Sequence, residues 1–517
     1  MSSLTPPNSN QMSALNNHFF FGLTTPKLEE FAPALEATLA YAVTDERVYE
    51  RTAPEPPDRS WTTPTAAENP LSAWYVTTSI SYTDGGPLAG RTVAIKDNVT
   101  VAGVPMMNGS RVVEGFTPRY DATVLRRLLD AGATKAGKAV CEDLCFSGSS
   151  VTSHPQPVRN PWDESHGYKA GGSSSGSEAL VASGHVDCAV GGDGGGSIRI
   201  PLACCGIVGC KPTHGLKPYT FPIERTIDHL GPMTRTVGDA AMMLTVLAGT
   251  DGLDPRQADH RIEPVDYLAA LAEPAGLRVV VVTEGFDTPV QDAAVDDAVR
   301  AAILVLRSGC LTVEIVSIPI HLDAFAVWNV IATEGAAYQM LDGNYYGMNT
   351  GGFYDPELII HFSRRRLEHG HQLSKTVKLV GMGGRYTSET GGGKYAAAAR
   401  QLVREVRAAY DLALARYDVL VMPTLPYTAT KIPITDIPLA DYLDTALSMI
   451  INTAPFDVTG HPALCPVAGA VHGLPVGMMI IGKAHDDDAT VLRVAAFEHA
   501  VGNYPVPPEA ASTLATL

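Results

Sequence analysis

Short apolar runs alternate with longer amphipathic segments through much of the chain. An apolar run at residues 92–95 comes before a helical pattern at 122–131, and a further run follows at 133–138. Short apolar runs indicate buried strands, whereas apolar positions at helical spacing indicate one face of a helix. Alternation of the two is typical of an α/β fold, in which helices cover a sheet. We therefore predict an α/β core that begins near residue 75.

The same alternation returns in the second half of the chain. Strand patterns at 277–283 and 312–318 enclose a helical pattern at 292–308, and a long helical pattern at 394–417 leads into a strand pattern at 419–422. Because these segments repeat the rhythm of the first half, we assign them to the same core.

Two regions depart from this alternation. Residues 1–74 contain a helical pattern at 27–46 and a proline-rich stretch at 53–64, so we predict a helical N-terminal segment followed by a linker. Residues 321–395 are mostly helical in pattern with glycine-rich interruptions, which indicates a helical cap or small domain over the site. The remaining residues, 75–320 and 396–505, form the predicted α/β core.

Composition narrows the class of protein. The chain has 517 residues, of which 45% are hydrophobic and 18% charged, and its formal net charge is -17. These proportions are typical of a globular protein, and the negative charge would repel nucleic acids and anionic lipid surfaces. The apolar runs are also much shorter than a membrane-spanning helix requires. We expect a chain of enzyme size that binds neither nucleic acid nor membranes.

Cysteine usage and the N-terminal sequence indicate a reducing compartment. The eight Cys include no C-x-x-C pair and most lie among apolar residues, so we interpret them as packing residues rather than as disulfides or a zinc site. Residues 1–10 lack the basic and apolar segments of a signal peptide. We therefore expect a cytoplasmic protein with no metal site and no cofactor.

The first segment that suggests chemistry is the end of the 92–95 run, where Lys96 follows the strand and precedes a turn. Such a lysine is often a strand-end residue whose charged tip reaches water. The alternative is a buried amine, because loss of solvent favours the neutral form, which is a usable base. This motif alone does not decide between the two interpretations.

The second segment is a serine-rich loop, residues 170–177, that runs directly into an apolar helical pattern. Its composition would suit a flexible linker, but a helix start can instead present hydroxyl and backbone N–H groups to a site. Residues 172–176 also match the G-x-S-x-G nucleophile elbow, with Ser174 at its centre. We regard that match as accidental because polar loop, rather than a buried strand, comes before it.

The third segment, residues 187–201, is a short strand that ends in glycines followed by Ser197. Glycines let several backbone N–H groups point inward without obstruction, as an oxyanion hole requires. A surface loop or a phosphate-binding loop could have the same composition. A near match to the Walker A motif also occurs at residues 132–139, but its last position is Ala139, which has no hydroxyl to bind magnesium.

Together these segments resemble the amidase signature family. The family pattern combines a lysine that closes a strand, a G-G-S-S-type loop and a D-x-G-G-S-I-R-x-P segment, and here Ser197 lies 24 residues after Ser173. The stretch His229-Leu230-Gly231-Pro232 also looks like the family. The resemblance covers most of the chain and is greatest to the amidases of nitrile-degradation pathways. It implies a large mixed β-sheet flanked by helices.

The resemblance also implies a role for each matched residue. Ser197 would be the nucleophile, Ser173 a bridging serine held by an unusual cis peptide, and Lys96 the base of a Ser-Ser-Lys triad that forms an acyl-enzyme. Backbone N–H groups would form the oxyanion hole, apolar residues would line the pocket, and an ion pair would support the loop. The oxyanion-hole candidates are Gly194, Gly195, Gly196 and Ser197, the pocket candidates are Phe146, Trp328 and Ile450, and the loop-support candidates are Asp193 and Arg199.

Four positions depart from the family pattern, and none of them removes a triad side chain. Gly194 stands where the family usually has a side chain. A glycine there would leave more room beside the substrate carbonyl, which would change the acyl or alkoxy group that is accepted. The other three positions are Ser175, Leu202 and Cys204.

The resemblance leaves the substrate open. The main hypothesis is hydrolysis of small carboxamides to carboxylic acid and ammonia by a homo-oligomer, expected to be a dimer. A carbamate (urethane) or anilide hydrolase would use the same triad. A less favoured hypothesis is the ammonia-producing subunit of a tRNA-dependent amidotransferase, which requires a partner chain and a polar pocket sized for glutamine. Retention of all three triad side chains argues against a catalytically silent binding protein.

Overall fold

The computed structural model divides the chain into two compact units, Met1–Pro57 and Asp58–Leu517. The N-terminal unit consists of helices α1 (Ser9–His18) and α2 (Thr25–Thr52). Asn8 begins α1 with a reciprocal cap, in which its side chain accepts from the Gln11 N–H and the Gln11 side chain accepts from the Asn8 N–H. The described residues are 4–163, 165, 167–216, 223–257, 262, 265–271, 276–308, 312–344, 352–433, 437–484, 491, 492 and 495.

The strands of the main unit form one large mixed sheet over the described part of the chain. They pair in the order β1-β2-β4-β3-β5-β7-β6-β11-β13-β10-β8-β9, and β12 pairs with β13. Strand β3 is parallel to β4 and β5, β8 is parallel to β9 and β10, and the other pairs are antiparallel. The mixed sheet is therefore confirmed. Its strands are β1 (Trp61–Thr62), β2 (Trp74–Ile80), β3 (Thr92–Lys96), β4 (Thr134–Ala139), β5 (Cys188–Asp193), β6 (Val208–Lys211), β7 (His229–Thr234), β8 (Arg278–Val282), β9 (Thr312–Val316), β10 (Val419–Pro423), β11 (Ala463–Cys465), β12 (Val467–Val471) and β13 (Leu474–Ile481).

Helices flank this sheet, and several begin at polar caps. The side chains of Thr236, Asp355 and Ser374 each accept a hydrogen bond from the first turn of the helix that follows. The last turn of α8 continues as a π-helix, Ala337–Asp342. The helices are α3 (Thr123–Asp130), α4 (Ser175–Ala182), α5 (Arg199–Cys205), α6 (Val237–Leu247), α7 (Ala293–Ser308), α8 (Ile320–Ala336), α9 (Pro356–His369), α10 (Lys375–Gly391), α11 (Lys394–Leu414), α12 (Leu439–Leu447) and α13 (Pro455–Thr459).

The elements predicted from the apolar pattern are present with shifted ends. The strands predicted at 92–95, 277–283 and 419–422 are β3, β8 and β10, and the helices predicted at 292–308 and 394–417 are α7 and α11. Every residue of β10 and β13 is buried. Strands covered on both faces read as continuous apolar runs, which is why β10 was recognisable from the sequence.

The domain boundaries differ in part from the predicted ones. Residues 58–74 belong to the main unit rather than to a segment ending at residue 74, because Trp61 and Thr62 pair with Thr78 and Thr77 in the sheet. The described part of residues 321–395 is largely helical, comprising α8, α9 and α10. Its role as a cap remains a prediction.

The predicted core extends to residue 505, and its last ten residues lie outside the described part of the chain. In the described part, none of the helices combines the length and the apolar character needed to cross a membrane.

Two neighbouring parallel strands position the candidate site. Strands β3 and β5 pair with Ile95 opposite Val190, so Lys96 and the glycines after Val190 emerge at the same edge of the sheet. Helix α4 begins at Ser175, within the serine-rich segment 170–177, and α5 begins at Arg199, two residues after Ser197. The carboxyl ends of parallel strands are where α/β proteins commonly bind ligands.

Candidate active site

Lys96 and Ser173 are in direct contact inside the protein. The Lys96 side chain is buried, with 1% of the residue exposed, and its Nζ donates hydrogen bonds to Ser173 Oγ at 2.8 Å and to the Gly192 carbonyl at 3.3 Å. No carboxylate among the described residues forms an ion pair with this Nζ. The Cys145 thiol is a further neighbour of this amine: burial opposes its ionisation, but its hydrogen bond with Cys141 and the charge of Lys96 lower the pKa of Cys145 to about 7. An amine in contact with a hydroxyl can exchange a proton with it.

The loop that carries Ser173 packs against Glu142 and bonds to its backbone. The Gly172–Ser173 peptide is cis, and the Glu142 N–H donates to the Ser173 carbonyl at 3.2 Å. A Cβ on Gly172 would lie 2.0 Å from Glu142 Oε2, so only glycine fits here. Burial raises the pKa of Glu142 despite the hydrogen bonds that its carboxyl accepts from Ser149 and Thr152.

The Asp193 carboxylate accepts hydrogen bonds from the backbone at the end of the glycine segment, residues 194–196, and just after it. Its Oδ1 accepts from the Gly196 N–H at 2.6 Å, and its Oδ2 accepts from the Ile198 N–H at 3.1 Å. Arg199 Nε and Nη2 donate to the two carboxylate oxygens, each at 3.0 Å. Burial opposes ionisation of Asp193, but the charge of Arg199 and its hydrogen bonds outweigh it and lower the pKa of Asp193 to about 2.

Arg199 connects this segment to the C-terminal part of the core. Its Nη1 donates to the Thr453 carbonyl and its Nη2 to Asp457 Oδ2, both at 2.7 Å, and all of these groups are fully buried. The guanidinium therefore fixes α5, the glycine segment and α13 relative to one another.

The contacts of Asp193 change one part of the predicted oxyanion hole. The Gly196 N–H already donates to Asp193, so it is not available to a substrate oxygen. The N–H groups of Gly194, Gly195 and Ser197 have no acceptor among the described residues. Three of the four thus remain candidates for an oxyanion hole, because the carboxylate that orders the loop occupies the fourth N–H.

A single cavity brings the predicted residues together. Lys96, Ser173 and Ser197 line it, and so do the pocket candidates Phe146, Trp328 and Ile450. Its other side chains combine apolar surface with a few polar groups, as is usual for small-molecule sites. The remaining residues that line the cavity are Asn98, Cys145, Ser147, Gly148, Gly192, Asp193, Gly194, Gly195, Ile200, Ile223, Glu224, Ile227, Asp228, Ala332 and Leu447.

The space beside Gly194 is occupied, which corrects the expectation of extra room. A Cβ at this position would lie 2.3 Å from Asp228 Oδ1. On the other side, Trp328 Nε1 donates to the Gly194 carbonyl at 2.6 Å, and a Cβ on Gly195 would lie 2.5 Å from the Trp328 ring. Glycine is therefore needed because a carboxyl and an indole both pack directly against this backbone.

Sequence reasoning missed Asp228 as a site residue. Its Oδ2 accepts hydrogen bonds from the Ile223 and Glu224 N–H groups, and the residue is 5% exposed, at the cavity wall. Burial raises its pKa to about 8. The sequence signal that could have found it is its position directly before His229-Leu230-Gly231-Pro232, a stretch that resembles the family.

Two motif matches that were set aside have structural explanations. Ser174 Oγ donates to the Gly192 carbonyl at 3.1 Å and accepts from the Gly192 N–H at 3.2 Å, so the elbow-like serine is committed to the backbone. Lys138, in the Walker-like stretch, is fully buried and pairs with Asp97 at 3.2 Å. Neither side chain is among those that line the cavity.

Comparison with known proteins assigns the chain to a family. The Amidase family model matches residues 47–491. A glutamyl-tRNA(Gln) amidotransferase subunit from Exiguobacterium sibiricum is 37% identical over 433 residues, which are 82% of this chain and 86% of that protein. An uncharacterized protein in the nthA 5'region of Rhodococcus erythropolis is 59% identical over 193 residues, which are 37% of this chain and 96% of that protein.

A solved structure gives the same assignment. The native peptide amidase from Stenotrophomonas maltophilia superposes with a TM-score of 0.66 and 29% identity, over 82% of this chain and 85% of its own. The match to the family model spans most of the sequence, and the fold agrees with it. The resemblance inferred from the three motifs is thus confirmed, and the protein belongs to the amidase family, the amidase signature enzymes, which hydrolyse amide C–N bonds.

Proposed function

We propose that the protein hydrolyses small uncharged carboxamides to a carboxylic acid and ammonia, with Ser197 as the nucleophile. One observation carries the proposal. Lys96 Nζ, which has no carboxylate partner among the described residues, donates to Ser173 Oγ at 2.8 Å in a cavity that Ser197 also lines. A base, a hydroxyl relay and a second hydroxyl in one cavity are the groups that acyl transfer requires.

In the proposed mechanism, neutral Lys96 accepts the proton of Ser173 as Ser173 accepts that of Ser197. The Ser197 oxygen attacks the carbonyl carbon, and the N–H groups of Gly194, Gly195 and Ser197 stabilise the negative charge on the carbonyl oxygen. Each such donor contributes roughly 2.7–4 kcal/mol in comparable sites. The proton returns to the leaving nitrogen, the C–N bond breaks, and water then hydrolyses the acyl-enzyme ester.

The composition of the cavity wall favours an uncharged substrate. Phe146, Trp328 and Ile450 offer apolar surface to an aliphatic or aromatic acyl group. Among the described residues that line the cavity, Lys96 has the only Lys or Arg side chain, and the proposed relay uses it as the neutral base. A substrate carboxylate, such as that of free glutamine, would therefore find no cation to pair with.

The ammonia-producing subunit of an amidotransferase is the second candidate, and the sequence relatives favour it. The 37% identity to the glutamyl-tRNA(Gln) amidotransferase subunit from Exiguobacterium sibiricum extends over 82% of this chain. This function would require glutamine as substrate and a partner chain. The homodimeric state and the cytoplasmic location expected from the sequence remain proposals.

Ammonia release from a substrate panel tests the proposal. We would assay acetamide, butyramide, benzamide, ethyl carbamate and glutamine, together with aniline release from acetanilide. Ser197→Ala should reduce kcat for every substrate by at least about a thousandfold, because the relay has no attacking oxygen without it. The matched control is Ser79→Ala, which removes an exposed hydroxyl on β2.

The outcomes separate the candidates. Turnover of butyramide or benzamide by the isolated chain supports the amidase proposal. Turnover of glutamine alone would favour the amidotransferase function. Undiminished turnover by Ser197→Ala, with Ser79→Ala as reference, would remove Ser197 from the mechanism.

A further inference from the structure

The cavity contains one carboxyl oxygen that the proposed mechanism does not use. Asp228 lines the cavity, and its Oδ2 accepts the N–H groups of Ile223 and Glu224. Its Oδ1 has no hydrogen-bond partner among the described residues. A carboxyl oxygen that lines a cavity and binds no protein group is available to a ligand, so Oδ1 indicates a ligand contact at this wall.

We propose that Asp228 is a specificity residue whose Oδ1 hydrogen-bonds to an oxygen atom in the acyl part of the substrate, next to the carbonyl carbon. The substrate class is then short carbamates, in which an alkoxy oxygen takes the place of the first methylene of a carboxamide. This inference rests on the proposed function, since it concerns the substrate of the same site.

The position of Oδ1 ties it to the reacting carbonyl. It lies 2.3 Å from where a Cβ on Gly194 would be, so it takes the place of the side chain that Gly194 lacks. The N–H groups of Gly194 and Gly195 are proposed donors to the substrate carbonyl oxygen. A group that packs directly on this backbone is close to the atoms bonded to that carbonyl carbon.

The neighbouring carboxylate does not compete for this role. Glu224 also lines the cavity, but its Oε1 accepts from Gln339 Nε2 at 2.7 Å and Arg400 Nη2 at 2.9 Å, and its Oε2 accepts from the Thr226 N–H at 2.8 Å. Both of its oxygens are therefore committed. Among the carboxyl groups at this wall, Asp228 alone keeps an oxygen for the substrate, as far as the described residues extend.

The protonation state of Asp228 allows its carboxyl to donate a hydrogen bond to an alkoxy oxygen. Burial and the nearby charge of Glu224 raise the pKa of Asp228 to about 8, although backbone N–H groups and Arg256 act in the opposite direction. Near neutral pH the carboxyl is mostly protonated. Because Oδ2 accepts two N–H groups, the proton resides on Oδ1, which donates. An alkoxy oxygen can accept a hydrogen bond but cannot donate one.

The chemistry requires no co-reactant besides water. Ser197 Oγ forms a bond to the carbamate carbon, the C–N bond breaks, and ammonia leaves with the relayed proton. Water then releases the alkyl hydrogen carbonate, which decomposes to the alcohol and carbon dioxide. Ammonia is thus a common product of carbamate and carboxamide hydrolysis, and one assay compares them.

Ethyl carbamate and butyramide form the test pair, because they have the same heavy-atom skeleton and differ only by an oxygen in place of a methylene. We compare the ratio of their kcat/KM values in the wild-type enzyme and in Asp228→Leu. The variant should lower the ratio of ethyl carbamate to butyramide about tenfold, the effect of one lost hydrogen bond to a buried polar group.

Two further variants distinguish a substrate contact from a structural role. Asp228→Asn can keep an acceptor for the Ile223 and Glu224 N–H groups and a donor toward the cavity, so it should restore most of the ratio. Gly194→Ala places a Cβ against Oδ1 and should lower the ratio as Asp228→Leu does. Gly238→Ala is the control, since its Cβ would approach only Thr236, at 3.9 Å.

The outcomes are separable from those of the proposed function. A fall of both kcat/KM values by the same factor in Asp228→Leu, with the ratio unchanged, would overturn the inference and leave the amidase proposal intact. A wild-type enzyme that hydrolyses butyramide but not ethyl carbamate would also overturn it. Hydrolysis of neither would overturn this inference, and the proposed function would fail with it only if acetamide and benzamide were not hydrolysed either.

Discussion

Two buried carboxyl groups flank the glycine segment, and their surroundings are opposite. Asp193 accepts hydrogen bonds on both oxygens and faces the guanidinium of Arg199, which lowers its pKa to about 2 against the effect of burial. Asp228 accepts hydrogen bonds on one carboxyl oxygen, Oδ2, and burial raises its pKa to about 8. Burial is similar at the two positions, at 2% and 5% exposure, so it cannot explain the difference.

The difference between the pKa values of Asp193 and Asp228 shows how a buried cation paired to a carboxyl keeps it ionised. With Arg199 beside it, a carboxylate stays ionised and its oxygens become fixed points for backbone N–H groups. Arg256 donates to the backbone carbonyl of Asp228 rather than to its carboxyl, and a buried carboxyl without a paired cation keeps its proton and can keep one oxygen free. The first arrangement orders a loop, whereas the second leaves a polar atom for a ligand.

The largest effect should come from removing the cation on the Asp193 side. Arg199→Met leaves the carboxyls of Asp193 and Asp457 buried without their guanidinium. Breaking a buried ion pair at one partner costs about 3–5 kcal/mol, so we expect a fall of that size in the free energy of unfolding. Urea denaturation followed by circular dichroism measures it.

An exposed arginine provides the matched control for this prediction. Arg385 pairs with Asp342 and Glu389, but its side chain is 55% exposed. Arg385→Met should leave the denaturation midpoint close to that of the wild type, because solvent screens such pairs. Equal midpoints for the two variants would mean that the buried pair does not hold the core together.

Much of the fold could be predicted from the sequence, because its central strands are buried on both faces. Val279, Val280, Val281 and Val282 of β8, like Val419–Pro423, form a continuous buried apolar run, which is typical of strands covered on both faces. The boundary after Pro57 could not be predicted, because β1 has only two residues and both are exposed. Pairing with β2, rather than any apolar pattern, joins it to the sheet.

The site could be predicted only as far as its motifs extend. Lys96, Ser173 and Ser197 lie in segments of unusual composition, and all three line one cavity. Gly196 was proposed as an oxyanion donor because it is a glycine in the right segment, but composition does not reveal that Asp193 already binds its N–H. Asp228 was missed because it comes from a different segment and meets Gly194 only in the folded chain.

The pH dependence of stability should reveal the protonation state of Asp228 in the folded protein. An unfolded Asp ionises near pH 3.9, about the usual value, whereas folded Asp228 keeps its proton to about pH 8. Its contribution to stability is therefore fully present below about pH 4 and is lost as the pH rises toward 8. In Asp228→Asn this dependence is absent, so the variant should gain in Tm relative to the wild type between about pH 5 and pH 8.

Thermal melts of the two proteins at several pH values measure this difference. All other ionisable groups are shared, including Glu224 and Arg256, so their contributions cancel in the subtraction to first order. A Tm difference that does not change with pH would show that Asp228 ionises normally. The comparison with Asp193 would then lose its basis.

The smallest effect should come from the indole that supports the glycine segment beside Asp228. Trp328 Nε1 donates to the Gly194 carbonyl, and Trp162 Nε1 donates to the Cys205 carbonyl, so the two indoles make the same type of bond. Only Trp328 lines the cavity. Loss of one such hydrogen bond costs about 1 kcal/mol, which corresponds to about fivefold in rate if the oxyanion donors lose their alignment.

We therefore expect Trp328→Phe to lower kcat/KM about fivefold and Trp162→Phe to leave it near the wild-type value. Both variants should lower the Tm to a similar extent, because each removes an indole donor from a backbone carbonyl. Equal effects of the two variants on kcat/KM would mean that loss of stability alone accounts for the change. A selective effect of Trp328→Phe would instead show that the Gly194 carbonyl must be held in place for the adjacent N–H groups to act.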